Sequence, residues 1–230
     1  MVPQVVTQTL GTVTIWLLSA ALALSIAVAL IAGSLHRHRA PRALADAVIT
    51  VTRGVPTSLL VVSAGIFAFT RPAPGWLPDP FPGTPASLAL VAWAVTVALA
   101  LGSTGHLAVI FATGYRSIGA ARREQSIVLG LDPLRRLRLL TRETAPSTLA
   151  PTGARLVHHL HNTAFAALFP VADLFGWVQQ RANETFEVGR YAAVGIAGYV
   201  ALSVLIWAAC RGLEHWLRLP ATRVAHPAAR

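Results

Sequence analysis

Residues 1–35 contain no charged side chain, and residues 80–115 form a second charge-free run of similar length. A helix needs about 20 apolar residues to cross about 30 Å of hydrocarbon, whereas a soluble fold breaks its apolar residues into short alternating blocks. The pattern therefore points to lipid as the surrounding medium. Composition agrees, with 54% hydrophobic residues, 12% charged residues and a mean hydropathy of +0.58, against roughly a quarter charged in an ordinary soluble domain. In hydrocarbon each backbone polar group must be satisfied internally, and long unbroken apolar runs do this as helices, so an all-α polytopic fold is expected.

Five apolar stretches are expected as transmembrane helices, at about residues 10–33, 43–69, 86–111, 149–174 and 191–212. They form one membrane domain over 1–220, with a loop at about 112–148 and a short tail at 221–230. The first stretch lacks the basic start of a signal peptide and is too long for its apolar region, so it reads as a retained span. The second is interrupted by Arg53-Gly54-Val55-Pro56, where Gly54 and Pro56 should break the helix. Residues 71–85 carry six prolines, Pro72, Pro74, Pro78, Pro80, Pro82 and Pro85, and are expected as an exposed loop.

All 19 basic residues are Arg, against 9 acids, giving a formal charge of +10. A nucleic-acid binder would gather such charge on one soluble face, but here the Arg fall in the gaps between apolar runs, so lipid is the expected partner and nucleic acid is not. Arg37, Arg39 and Arg42 follow the first span. Arg116, Arg122, Arg123, Arg135, Arg136, Arg138 and Arg142 follow the third, and Arg211, Arg218, Arg223 and Arg230 follow the fifth. By the positive-inside rule these gaps face the cytoplasm, which puts the N-terminus outside and the C-terminus inside. Trp76, Trp177 and Trp216 fall near the expected interfaces. Cys210 is the single cysteine, so neither a disulfide framework nor a Cys-based metal site is available.

The long basic gap carries the most specific pattern. Residues 124–129 form a short helical stretch ending at Gly130, which suits a C-terminal cap, and Pro133 can start a second helix because its missing N–H costs nothing in a first turn. Taken alone this is an amphipathic helix held to anionic lipid by Arg135, Arg136, Arg138 and Arg142. The order of residues adds a second reading. Glu124 followed six positions later by Gly130 and a basic, aliphatic helix resembles the coupling loop of ABC-importer permeases, in which a short helix docks in a groove of the ATPase.

The resemblance covers nearly the whole chain, and is to the polar amino-acid uptake family of histidine- and glutamine-type permeases. It is carried by Gly11-Thr12-Val13-Thr14, by Arg53-Gly54-Val55-Pro56, by a block over 103–118 that is closest at Leu107-Ala108, Ile110-Phe111, Gly114 and Ser117-Ile118, and by Arg123-Glu124 through Leu129-Gly130-Leu131. This chain has Glu124-Gln125-Ser126 where the family has Glu-Ala-Ala, and His161-Asn162-Thr163-Ala164 where it has Lys-Asp-Thr-Ser. Val109 and Ala112 stand where an acid and a base are common. The resemblance implies one half of a dimeric pore in a prokaryotic inner membrane. It implies a second permease subunit, homo- or heterodimeric, two ATPase subunits and an extracytoplasmic solute-binding protein. Arg122, Arg123, Glu124, Gln125, Ser126 and Gly130 are the implied ATPase-coupling residues.

Arg53 and Arg155 fall within spans, where facing lipid would cost several kcal/mol. Each either serves a carboxylate-bearing solute or is accommodated structurally, Arg53 by capping carbonyls at the helix break and Arg155 by snorkelling to the headgroups. His106 reads as an interhelical hydrogen bond or part of the solute path. His161, Asn162 and Thr163 are expected to line that path or bond across helices. His158, His159 and His161 lack a carboxylate or Cys within the span to complete a metal set. There is no phosphate-loop motif and no Lys to place in one, so ATP and Mg would bind a partner chain and this chain would have no catalytic residues or cofactor of its own. The alternatives are a structural half of a heterodimer that leaves solute contacts to its partner and, more distantly, a secondary carrier.

Overall fold

The computed structural model describes residues 2–36, 38–119, 124–125 and 127–217. Among the described residues every regular element is helical. The α-helices are α1 (Val2–Ser34), α2 (Arg39–Gly54), α3 (Thr57–Phe69), α4 (Ala89–Ser117), α5 (Pro133–Asn162), α6 (Leu174–Thr185) and α7 (Val188–Leu217). By length and apolarity α1, α4 and α7 can each cross a membrane, and the bent α2–α3 pair makes a fourth crossing if taken as one span.

The expected break at Gly54 and Pro56 is present, and α2 and α3 meet at 93°. Pro56 cannot donate to the α2 ladder. Val55 N–H still reaches Val51 O and Pro56 O takes Leu60 N–H, so the corner is crossed with the neighbouring peptides bonded.

α4 is the central post. It packs against α1, α2, α3 and α5, and more of its apolar length is buried than that of α1 or α7. Small residues let its neighbours come close: a Cβ added at Gly102 would strike the Thr57 side chain, and one at Gly105 would strike Thr52, the Arg53 stem and the Ile49 carbonyl. Close backbone approach of this kind replaces the hydrophobic drive that is missing between helices in lipid. Ile15, Val61, Val95 and Leu99 fill one core between α1, α3 and α4, and Ala27, Ile31, Leu107 and Ala108 fill a second one further along.

Three expectations are corrected. The stretch 149–174 is not one span: α5 starts at Pro133, runs through the expected loop boundary and stops at Asn162, where a 3₁₀ segment (Thr163–Leu168) and extended backbone follow. Its many Arg, His and Thr residues dilute its apolar content, and it does not qualify as an apolar crossing helix. The proline-rich loop is not wholly exposed, since Phe81 is 3% exposed and stacks edge-on against Trp93, whose indole N–H reaches Pro78 O. Trp177 is buried and packs edge-on against Tyr191. The expected spans also leave out α6, which begins where the Asp173 carboxylate accepts the Gly176 N–H at 2.9 Å; Asp173 before Leu174 is an N-cap signal.

The extended stretch after residue 168 would leave peptide groups bare inside the bundle. Thr84 Oγ1 accepts the Ala172 N–H at 2.9 Å and Thr12 Oγ1 accepts the Leu174 N–H at 2.8 Å. Gly11 admits the Ala172 carbonyl, which any Cβ there would strike. We predict that Gly11→Ala destabilises the bundle by about 1–3 kcal/mol, because the obstacle is backbone that cannot rotate away. An unchanged thermal midpoint in detergent would show that this contact relaxes freely.

Candidate solute path and docking segment

Two groups of candidate residues are separated along the molecule. At the level of the α2–α3 corner, α4 and α5 turn polar side chains toward one another. Arg155 Nη2 donates to Gly102 O at 2.8 Å and to Ser103 Oγ at 3.1 Å, and Nη1 donates to His158 Nδ1 at 3.3 Å. Arg155 therefore points into the bundle and does not snorkel. Its Nε–H is buried without a protein partner. Because Arg only donates, His158 Nδ1 is the acceptor and its Nε2 carries the hydrogen. Asn162 lies one turn on, its Nδ2 at 3.5 Å from the same Nδ1.

Behind this face lies His159, which gave no sign of a role in the sequence. It is fully buried, with Nε2 2.7 Å from Ser19 Oγ on α1 and Nδ1 2.7 Å from Ser103 Oγ on α4. Ser19 gives its hydrogen to Ile15 O at 2.6 Å, so it accepts from Nε2–H; Ser103 accepts from Arg155, so it donates to Nδ1. A neutral imidazole fills both roles. The result is a single chain of bonds, Arg155 to Ser103 to His159 to Ser19 to the α1 backbone, joining three helices. Ser19 and Ser103 are two of several hydroxyls on α1 and α4, so nothing in the sequence singled them out.

The other expected path residues divide. Arg53 is exposed on α2 and makes no hydrogen bond to the α2–α3 corner among the described residues, so it does not cap the break. His106 Nδ1 is buried without a protein partner, so the expected interhelical bond is not made through that atom. Arg155, Arg53 and His158 all lie within electrostatic reach of His106. His161 faces the other way, toward α7, with Nε2 3.3 Å from Ser203 Oγ and its ring edge-on to Tyr199. Thr163 is buried and donates to Leu160 O at 2.7 Å. Arg53, His106 and Asn162 thus share a face, joined by Arg155 and His158, while His161 and Thr163 do not.

A groove of about 550 Å³ continues from Arg53 along α2 and α4, lined among others by Arg42, Asp46, Val109, Ala112 and Arg116. The two apolar positions Val109 and Ala112 therefore face a polar route.

The second group is the candidate docking segment at 124–130. Glu124 and Gln125 are exposed, and Ile127, Val128 and Leu129 are 54, 86 and 69% exposed. Leu129 N–H returns to Gln125 O and Gly130 N–H to Ile127 O, with Gly130 at φ +67°, the left-handed conformation that a glycine cap supplies. Asp132 then accepts the Arg135 N–H at 3.2 Å and starts α5 at Pro133. Arg122, Arg123 and Ser126 lie outside the described residues.

An apolar bundle whose described elements are all helical, with a polar face between α4 and α5 and a helical turn of exposed aliphatic residues, is the form of a multi-pass membrane protein. The family described as the binding-protein-dependent transport system inner membrane component matches residues 25–218, and the chain belongs to that family. It is a membrane permease subunit of an ABC importer, a class that works with ATPase subunits and a second permease. Among solved structures it is similar to an amino acid ABC transporter crystallised with histidines, with a TM-score of 0.73 and 16% identity over 94% of each chain. Two crystal forms of an inward-facing MetNI methionine ABC transporter give TM-scores of 0.66 and 0.69 at 16 and 15% identity, over 95% of this chain and 96% of theirs. Likeness at such identity is a likeness of fold. No curated protein sequence matches significantly.

Replacing His159 with Leu is expected to destabilise the protein by about 1–3 kcal/mol, because the buried Ser103 hydroxyl loses its acceptor and Arg155 its fixed position. Thermal unfolding in detergent measures this, and a midpoint equal to that of the unaltered protein would remove the three-helix link.

Proposed function

We propose that this chain forms one half of an importer pore for a polar amino acid or a similar small solute and is driven through the segment from Glu124 to Gly130. The observation that carries the reading is that Ile127, Val128 and Leu129 stand exposed on a capped turn leading directly into α5. Exposed aliphatic residues beside charged ones form a docking surface. Arg122, Arg123, Glu124, Gln125 and Ser126 supply its polar contacts to the ATPase, which holds ATP and Mg, and Gly130 ends the docking turn.

In this reading residues 1–220 are one membrane domain with a short tail at 221–230, and the Arg-rich gaps place the docking segment and the C-terminus in the cytoplasm and the N-terminus outside. An extracytoplasmic binding protein delivers the solute. Arg53, His106 and Asn162 line its path with Arg155 and His158, and the corner at Gly54 and Pro56 gives that path its polar floor, as broken helices do in transporters. The similar solved transporters, one for an amino acid and one for methionine, support the solute class. The polar face favours a solute-contacting subunit over a purely structural one.

Glu124→Lys is expected to abolish ATP-driven uptake while expression and membrane insertion stay normal. Transport at the unaltered rate in that variant would exclude the segment from the mechanism.

A further inference from the structure

We propose that the solute handled by this permease is a net anion held through a carboxylate, rather than a zwitterion or a cation. The inference rests on the transport reading above and narrows its substrate class.

The polar face is rich in donors, with the Asn162 amide oxygen as an acceptor among them. Arg155 has its Nε–H buried and unpartnered, and part of Nη1 remains free after His158 is served. His158 presents Nε2–H from an exposed ring, and Arg53 stands exposed and without a hydrogen-bonded partner among the described residues. The Gly102 carbonyl already accepts from Arg155. The side chains within electrostatic reach are Arg155, Arg53 and His158 for His106, and Arg155 and His161 for His158.

The same imbalance continues along the groove. Arg53, Arg42 and Arg116 line it, and among the described residues Asp46 is the one acid beside them. Cationic side chains in a low-dielectric cleft attract anions and repel cations along its length, and guanidinium N–H groups match a carboxylate in geometry as well as charge. A neutral zwitterion would bring an ammonium into this surplus of cations with only one carboxylate of its own to offset it, and Asp46 is the acid that lines the groove. A dicarboxylate or acidic amino acid would bring a second negative charge toward Arg53.

The test uses the full chain assembled with its ATPase partner in nanodiscs, titrated calorimetrically with L-glutamate, succinate, L-glutamine and L-arginine. Glutamate and succinate should bind at least about tenfold more tightly than glutamine, with arginine weakest. Arg155→Gln should weaken glutamate by a similar factor, whereas Arg71→Gln, on the loop beyond α3, should leave it unchanged. If Arg155→Gln does not assemble, Arg53→Gln on exposed α2 gives the same reading. Glutamine or arginine binding as tightly as glutamate, no binding of any probe at millimolar concentration, or unaltered glutamate affinity in the assembled Arg variants would each overturn the proposal. Failure of the importer reading would look different, as a chain that retains no ATPase subunit whatever solute is present.

Discussion

The bundle depends on how it satisfies the peptide groups between Asn162 and Leu174. There the chain passes from α-helix through a 3₁₀ segment to extended backbone inside an apolar protein, where each unpaired N–H or C=O costs several kcal/mol. Thr84 and Thr12 take the Ala172 and Leu174 N–H groups, and Gly11 makes room for the intervening carbonyl. These contacts tie the segment to α1 and to the loop after α3. They also fix where α6 begins, and through α6 where α7 packs, since Leu174, Trp177 and Tyr191 share one core. The proline-rich loop is drawn inward for the same reason, because Thr84 must reach Ala172.

How much of this could be read from sequence depended on whether a feature was local. The α2–α3 corner needed only Gly54 and Pro56, and the docking turn only Gly130 and Pro133; their backbone consequences belong to those residues wherever they stand. The apolar spans of α1, α4 and α7 were equally plain, because hydropathy is a property of the run itself. The stretch 149–174 misled because its apolar content is real, yet Arg155, His158 and His161 sit in a helix that Asn162 ends early. Long-range pairings were invisible: Thr12 lies 162 residues from its partner Leu174, and Ser19 lies 140 from His159. The face of α5 separated Asn162 from its neighbours, since one residue of helix rotation sends His161 to α7 and Thr163 inward.

The polar face illustrates how a membrane interior tolerates Arg. Arg155 is not neutralised by an acid. It is spread over a carbonyl, a hydroxyl and an imidazole, which disperses its charge over fixed dipoles without cancelling it. An ion pair at the same place would have filled the site with its own counterion. The solvating groups leave a directed positive potential, and the buried Ser103–His159–Ser19 link keeps its source from drifting.

α5 runs unbroken from the docking turn at Pro133 to Asn162, 30 residues, or about 45 Å at helical rise. It is a strut with its foot outside the bundle and its head in the polar face, and a strut transmits displacement only as well as it resists bending. Pro146 and Pro151 each remove a backbone hydrogen bond from its middle, so its compliance is concentrated between two comparatively stiff arms. A displacement of the foot would be taken up as a change of angle near Pro151, with the upper arm held at His159 by its bonds to Ser19 and Ser103. Arg155 lies on the hinge side of the pin and Asn162 beyond it, so a tilt about His159 would carry the two in opposite directions.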